Sequence, residues 1–140
     1  MKVLLPVLAS MLLSGCTEGF SSRTADVVDL AFGEPISAPG VEAVEAYTWH
    51  KREWFATRSE VWFLQLRGAG AMEYVRSKWA DLKRQSPTTV RVIDPEGRLS
   101  WYLPKPVSSY EFWTRESDAR YQIAQDVQTQ DVFVGYQSGG

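Results

Sequence analysis

The clearest pattern along the chain is an alternation of apolar and polar residues that begins after residue 41. Residues 44–51 and 58–67 are rich in aromatic and β-favouring side chains, which predicts two strands. In the second strand Trp62, Leu64 and Leu66 share one face, and apolar side chains also occupy the other face. Apolar groups on both faces are typical of a strand in the interior of a sheet. The residues between the two strands predict the turn of a hairpin.

A helical period replaces this alternation after a Gly-Ala-Gly segment. Met72, Val75, Trp79 and Leu82 recur at spacings of three, four and three, which places them on one stripe of a helix. An acidic residue in the first turn and basic residues in the last turn suit the helix dipole, and a Ser-Pro pair ends the pattern. We therefore predict one helix, over residues 71–85.

The second half of the chain predicts two further hairpins. Residues 89–93 and 99–103 flank an Asp-Pro-Glu-Gly turn signal at residues 94–97. Residues 120–125 and 131–136 form the last pair, which a polar turn connects. Consecutive hairpins make antiparallel sheets, and a helix then covers one face. The predicted fold class is α+β: an antiparallel sheet of about six strands, arranged as three hairpins and packed on one helix.

The chain before residue 41 carries weaker signals. Residues 17–24 are mostly small or polar and suit a flexible spacer. Residues 26–32 are compatible with a strand or with a short helix, and residues 33–40 contain the prolines and glycines of a loop. We therefore predict a tether over residues 16–40 and a single α+β domain over residues 41–140.

The first sixteen residues form a separate unit. One lysine precedes an apolar run from Val3 to Leu13, which is too short to cross a bilayer because a spanning helix needs about 20 residues. The run therefore predicts a secretory signal peptide over residues 1–15. It ends in Leu13-Ser14-Gly15-Cys16, which resembles the lipobox of bacterial lipoproteins. The resemblance implies cleavage before Cys16, acylation of the cysteine with palmitate or similar chains, and attachment to a membrane.

The same resemblance implies a location in the cell envelope. Threonine follows the cysteine, where aspartate favours retention at the inner membrane in proteobacterial lipoproteins. Two or three acyl chains also hold a protein far more firmly than one. We expect a lipoprotein on the periplasmic face of the outer membrane.

Composition narrows the possible chemistry. The chain has 140 residues, 44% hydrophobic and 23% charged, which suits one folded domain, and a formal charge of −2 argues against a nucleic-acid partner. The sole cysteine is the proposed lipid site, so neither an intramolecular disulfide nor a cysteine nucleophile is expected. A sole histidine excludes a histidine-rich metal site. We expect no cofactor and no metal.

Candidate catalytic groups are few. His50 is the only imidazole that a Ser–His–acid triad could use, and the chain has no Gly-x-Ser-x-Gly elbow. A glycosidase would need two carboxylates about 5–9 Å apart. Glu53 with Glu60, or Asp126 with Asp131, are the nearest pairs, although the second pair more simply frames a polar turn. We therefore assign no catalytic residue.

Aromatic residues are the positive signal. They make up 13% of the chain; we assign Trp62, Trp79 and Trp101 to the core, whereas other rings fall in turns and loops. Large rings beside arginine on a loop are common at recognition surfaces, although the same rings can fold back over the end of a sheet. The predicted loop at residues 107–118 carries most of them. The candidate binding residues are Trp54, Phe55, Tyr110, Phe112, Trp113 and Arg115.

These observations favour a non-enzymatic envelope lipoprotein that binds a protein or a cell-wall component. Known lipoproteins of this size include inhibitors, immunity proteins and assembly accessories. Two alternatives remain: a small envelope hydrolase that acts on cell-wall glycan or peptide, and a structural lipoprotein.

Overall fold

The computed structural model describes residues 17–52, 58–87, 92, 94 and 96–138. The predicted signal peptide, the lipobox with Cys16, and the candidates Glu53, Trp54 and Phe55 lie outside these residues. So does most of the predicted strand at residues 89–93.

The described part of the chain contains seven strands and two α-helices. In chain order they are β1 (Thr17–Ser21), α1 (Thr24–Phe32), β2 (Glu42–Arg52), β3 (Arg58–Arg67), α2 (Ala71–Lys78), β4 (Leu82–Gln85), β5 (Tyr110–Arg115), β6 (Tyr121–Asp126) and β7 (Val132–Ser138), with a short 3₁₀ turn at Val107–Ser109 before β5. All the strands form one antiparallel sheet in the order β1-β2-β3-β7-β6-β5-β4. The predicted antiparallel α+β architecture is confirmed, with seven strands instead of about six and two helices instead of one.

The two best-patterned hairpins are confirmed. β2 pairs with β3, and β6 pairs with β7, as the alternation of apolar residues predicts. β3 also pairs with β7, which places both strands in the interior of the sheet. β7 therefore joins two groups of three strands.

Each face of the sheet contributes to its own hydrophobic cluster. Trp62, Leu64 and Leu66 of β3 belong to the helix-side cluster, which also contains the buried residues of α1 and α2. Val61 and Phe63 of β3 belong to the loop-side cluster, together with buried residues of the segment 99–102. This division explains why the strand pattern is apolar on both faces.

The segment at residues 99–103 is not a strand, so the predicted middle hairpin is wrong. The carboxylate of Asp94 accepts the backbone N–H groups of Arg98 and Leu99, and Gly97 adopts a left-handed conformation with φ +64°. These donors are therefore satisfied within the turn instead of by a neighbouring strand. The segment crosses the sheet and inserts the ring of Tyr102 against Phe63 and Phe133, with centroid distances of 4.7 and 5.8 Å.

The predicted helix is shorter than its apolar stripe. α2 ends at Lys78, and Trp79 adopts an extended conformation while its N–H still bonds to the carbonyl of Val75. The chain then forms β4, which pairs with β5 at the edge of the sheet. Leu82 thus reaches the helix-side cluster from a strand. Tertiary pairing outweighs local periodicity here.

The predicted tether contains folded structure. β1 pairs with β2 from Thr17↔Arg52 to Ser21↔Thr48, and the indole Nε1 of Trp49 donates to Glu18 at 3.0 Å. The ambiguous segment at residues 26–32 is helical, and α1 ends at Gly33 in the left-handed conformation that a helix C-cap favours. The folded unit therefore includes residues before position 41.

Candidate functional site

Three of the candidate binding residues lie inside the protein. Tyr110, Phe112 and Trp113 are on β5, not on a loop, and each is at most 5% exposed. Tyr110 and Phe112 face the loop-side cluster, and Trp113 faces the helix-side cluster. β5 pairs with β4 and β6 at its two edges, and the two clusters cover its faces, so its rings are core residues. The predicted loop is therefore wrong over these residues, and of the two alternatives for its rings the structure shows the buried one.

Arg115, at the end of β5, occupies a different environment. Its guanidinium carbon lies 5.2 Å from the ring centroid of Trp79 and 4.9 Å from that of Tyr121. Its Nε donates to Asp81 at 3.0 Å. The hydroxyl and the N–H of Ser117 also donate to Asp81, and these bonds, together with Arg115, hold the pKa of Asp81 well below its usual value. The contacts connect the end of α2 to the β5–β6 turn.

A second arginine repeats this arrangement one strand further. Arg120 forms a bidentate pair with Asp118, and its guanidinium carbon lies 5.3 Å from the ring centroid of Tyr136. The rings of Trp62, Tyr136, Tyr121 and Trp79 are in contact in that order, with centroid distances of 5.0–5.8 Å, and the Trp62 ring also lies 5.9 Å from that of Tyr121. Because both guanidinium groups already pair with carboxylates, the main effect of this cluster is to fix the turn between β5 and β6.

The acidic pair at the β6–β7 turn is structural, as the simpler of the two predictions states. Asp126 is 3% exposed; its carboxylate contacts Lys105 Nζ at 2.6 Å and accepts the N–H groups of Gln128 and Thr129. Burial by itself would raise the pKa of Asp126, but the bonds from Lys105 and the two N–H groups outweigh it and lower the pKa. A general acid needs the opposite shift.

The partners of Asp131 lie on β3. It accepts a hydrogen bond from Gln65 at 3.1 Å and approaches Arg67 at 3.8 Å. The two carboxylates of the turn are thus separately engaged: Asp126 binds Lys105 and the turn itself, whereas Asp131 binds β3.

His50 packs against the edge strand. It lies on β2 opposite Gly19 of β1, and a Cβ atom at position 19 would come within 2.6 Å of the imidazole ring. The glycine therefore makes room for the ring. On the other side of β2 the ladder places Glu60 opposite His50. The described residues contain no group of three or more His, Cys, Asp or Glu side chains that could hold a metal ion.

An open groove lies beside α1, where the sequence indicated a tether and a loop. Its volume is about 320 Å³. Val28 and Val41 are buried in its floor, whereas Ile36 and Ala43 are half-buried. The residues that line it are Thr24, Ala25, Val28, Asp29, Pro35, Ile36, Val41, Glu42 and Ala43. We name this feature the α1 groove.

Two exposed carboxylates, Asp29 and Glu42, line the α1 groove. Within the described residues, neither side chain has a hydrogen-bond or ion-pair partner. The neighbouring acids differ in this respect, because Asp26 accepts a hydrogen bond from Ser21 and Glu34 pairs with Lys78. Sequence reasoning could not find the groove because it did not decide whether residues 26–32 are helical.

No family model, curated protein or solved structure significantly matches this chain. In the described residues, no helix is long and apolar enough to cross a membrane.

Proposed function

We propose that this protein is a lipid-anchored lipoprotein of the cell envelope that acts as a non-enzymatic binding module, with the α1 groove as its binding site. The signal-peptide pattern and the lipobox resemblance of residues 13–16 support the anchor. The groove supports the binding role.

The observation that carries the binding role is the combination of shape and lining. Ligand sites are concave and mostly apolar, with a few polar groups at fixed positions, and they commonly measure about 300–1,000 Å³. The α1 groove fits this description: its floor is aliphatic, and two carboxylates stand beside it without a partner among the described residues. An aliphatic surface of this kind gains free energy when an apolar group displaces water from it.

The position of the groove also suits an anchored protein. Thr17 directly follows the proposed lipid site and pairs with Arg52 at the end of β2, whereas Glu42 at the groove begins the same strand. At about 3.3 Å per residue, the strand separates these two points by roughly 30 Å. Acyl chains on Cys16 would therefore leave the groove open to a ligand from the aqueous side.

Filling the groove tests its role. Ala25 is an exposed residue that lines the groove, so Ala25→Trp adds a large ring there without removing a core contact. Leu30→Trp is the matched control, because Leu30 is on the same helix, is 45% exposed and does not line the groove. The bait must retain Thr17–Ser21, since this segment is β1.

We expect the detergent-extracted full chain and Leu30→Trp to retain the same component of an envelope extract, and Ala25→Trp to lose it. Equal retention by Ala25→Trp, or no retained component with the unmodified chain, would contradict the role of the groove.

Replacement of Cys16 tests the anchor independently. Cys16→Ser removes the thiol that would be acylated, so we expect an uncleaved precursor without acyl mass. Membrane fractionation and mass spectrometry of the unmodified protein should find an acylated Cys16 in the outer-membrane fraction. A processed, membrane-bound Cys16→Ser protein would show that the lipobox interpretation is wrong.

A further inference from the structure

We propose that the α1 groove binds a peptide segment that carries a Lys or Arg side chain next to an apolar one. This inference rests on the proposed function and names the chemical class of its ligand.

The two charged side chains that line the groove have the same sign, and the nearest arginines, Arg23 before α1 and Arg67 opposite Glu42 on β3, are not among the lining residues. Of the residues that line it, Asp29 and Glu42 are acidic and none is basic. Lys78 lies on α2 and is already paired with Glu34. A cation bound in the groove could therefore pair with two carboxylates without breaking an existing ion pair among the described residues. Hydrogen bonds between a charged donor and a carboxylate are stronger than neutral ones.

The size and lining of the α1 groove favour a ligand with a short apolar group next to its positive charge. A volume of about 320 Å³ is at the small end of ligand sites, so the groove suits one or two side chains instead of a long polymer. Val28, Ile36 and Val41 offer aliphatic contacts. Lys and Arg fit such a surface well, because their methylene stems pack on apolar groups while the charged end remains near water.

The first turn of α1 could in principle attract an anion instead. Thr24 and Ala25 lie at the N-terminus of the helix, where the helix dipole favours negative charge. That charge is already supplied by Asp26, whose carboxylate lies in the first turn and accepts a hydrogen bond from Ser21. The two carboxylates of the groove add further repulsion. An anionic peptide is therefore the rival that the experiment must include.

The test uses three acetylated, amidated and isotope-labelled tripeptides: Leu-Arg-Leu, Leu-Glu-Leu and Ser-Arg-Ser. Binding of each peptide to the full chain in detergent micelles is measured by equilibrium dialysis, and empty micelles give the background. The double variant Asp29→Asn with Glu42→Gln removes both charges and no hydrogen bond or ion pair of the described residues. Glu45→Gln removes an exposed carboxylate of β2 that does not line the groove. Thermal melting of each variant checks that it is folded.

We expect the unmodified chain and Glu45→Gln to bind Leu-Arg-Leu more tightly than the other two peptides. Partly exposed ion pairs contribute about 0.2–1 kcal/mol each, and the double variant removes two of them, so it should bind Leu-Arg-Leu on the order of 2–30-fold more weakly. Ala25→Trp should bind none of the peptides above the micelle background.

The remaining outcomes separate the two proposals. If Leu-Glu-Leu binds as well as Leu-Arg-Leu, or if the double variant keeps the preference for arginine, the ligand class is wrong; loss of binding in Ala25→Trp would then still support the groove. If Ser-Arg-Ser binds equally, the apolar requirement is wrong. If the unmodified chain binds no peptide more than empty micelles and the Ala25→Trp variant do, the inferred ligand class is wrong. The extract experiment alone then decides the role of the groove.

Discussion

Gly135, in the interior strand β7, allows the loop segment at residues 99–103 to lie on the sheet. A Cβ atom at position 135 would be 2.6 Å from the hydroxyl oxygen of Tyr102 and 3.0 Å from the ring of Phe63. Both rings are buried, and Tyr102 also contacts Phe133 and Trp101. The replacement Gly135→Ala therefore adds one methyl group where neither neighbour can move freely.

The cost of this methyl group follows from packing. Added methyl groups in a filled core typically destabilise a protein by about 1–3 kcal/mol, and the lower chain entropy of alanine in the unfolded state offsets up to about 1 kcal/mol. We expect a net loss of about 1–2 kcal/mol in the free energy of unfolding. For a domain of this size, this corresponds to a decrease of about 3–12 °C in Tm.

A double-mutant cycle with Tyr102→Phe isolates the proposed contact. Tyr102→Phe removes the nearest atom and its 3.3 Å hydrogen bond to Gln122, so this variant should be less stable than the unmodified protein. Gly135→Ala should then cost less in the Tyr102→Phe background, with a coupling of at least about 0.5 kcal/mol. Urea unfolding of the unmodified protein, the two single variants and the double variant gives the four free energies of unfolding that the cycle compares. Equal costs in both backgrounds would refute the role assigned to Gly135.

Three further variants test other parts of the structure. Trp79→Ala should cost about 3–5 kcal/mol, because the buried ring contacts Phe32 and Tyr121; an unchanged Tm would contradict its core position. The lowered pKa of Asp126 means that folding favours its ionised form, so this contribution is complete above the ordinary value of 3.8 and disappears as the pH falls. Urea midpoints between pH 2 and 6 should therefore depend less on pH in Asp126→Asn, and parallel curves would disprove the linkage. Asp81→Asn weakens the bonds to Arg115 and Ser117, so the amide of Ser117 should exchange hydrogen faster, whereas unchanged exchange would show that Asp81 does not hold this turn.

Strands with a regular alternation of apolar and polar residues could be predicted from the sequence. β5 lacks this alternation and was therefore not predicted as a strand. Tyr110, Phe112 and Trp113 include two consecutive aromatic residues after a proline-rich stretch, which indicated a loop. In the structure the consecutive rings enter different clusters on opposite faces of the sheet. β6 follows β5 directly, but β4 and the helices and loop that cover the two faces of β5 come from distant parts of the chain.

The candidate site depended on similar long-range information. β1 is short, polar and placed at the edge of the sheet, so its sequence resembles that of a spacer; its pairing comes from β2. The α1 groove then requires α1, the loop after it and the start of β2 to be placed together. The sequence signals for each of these elements were weak or ambiguous. Arg115 was predicted as a binding residue, but in the structure its side chain contacts Asp81 and two aromatic rings.

The strand order has a consequence for the order in which the protein can fold. β1, β2 and β3 are consecutive neighbours, as are β4, β5 and β6, but β3 and β6 meet only through β7. Until the last seven residues of the described chain are available, each half has an open edge, and the edge of β3 is apolar on both faces. Such edges can pair with other chains. During synthesis, the chain therefore cannot complete its sheet before β7 has emerged, and a product truncated before Val132 would remain as two unjoined halves prone to association.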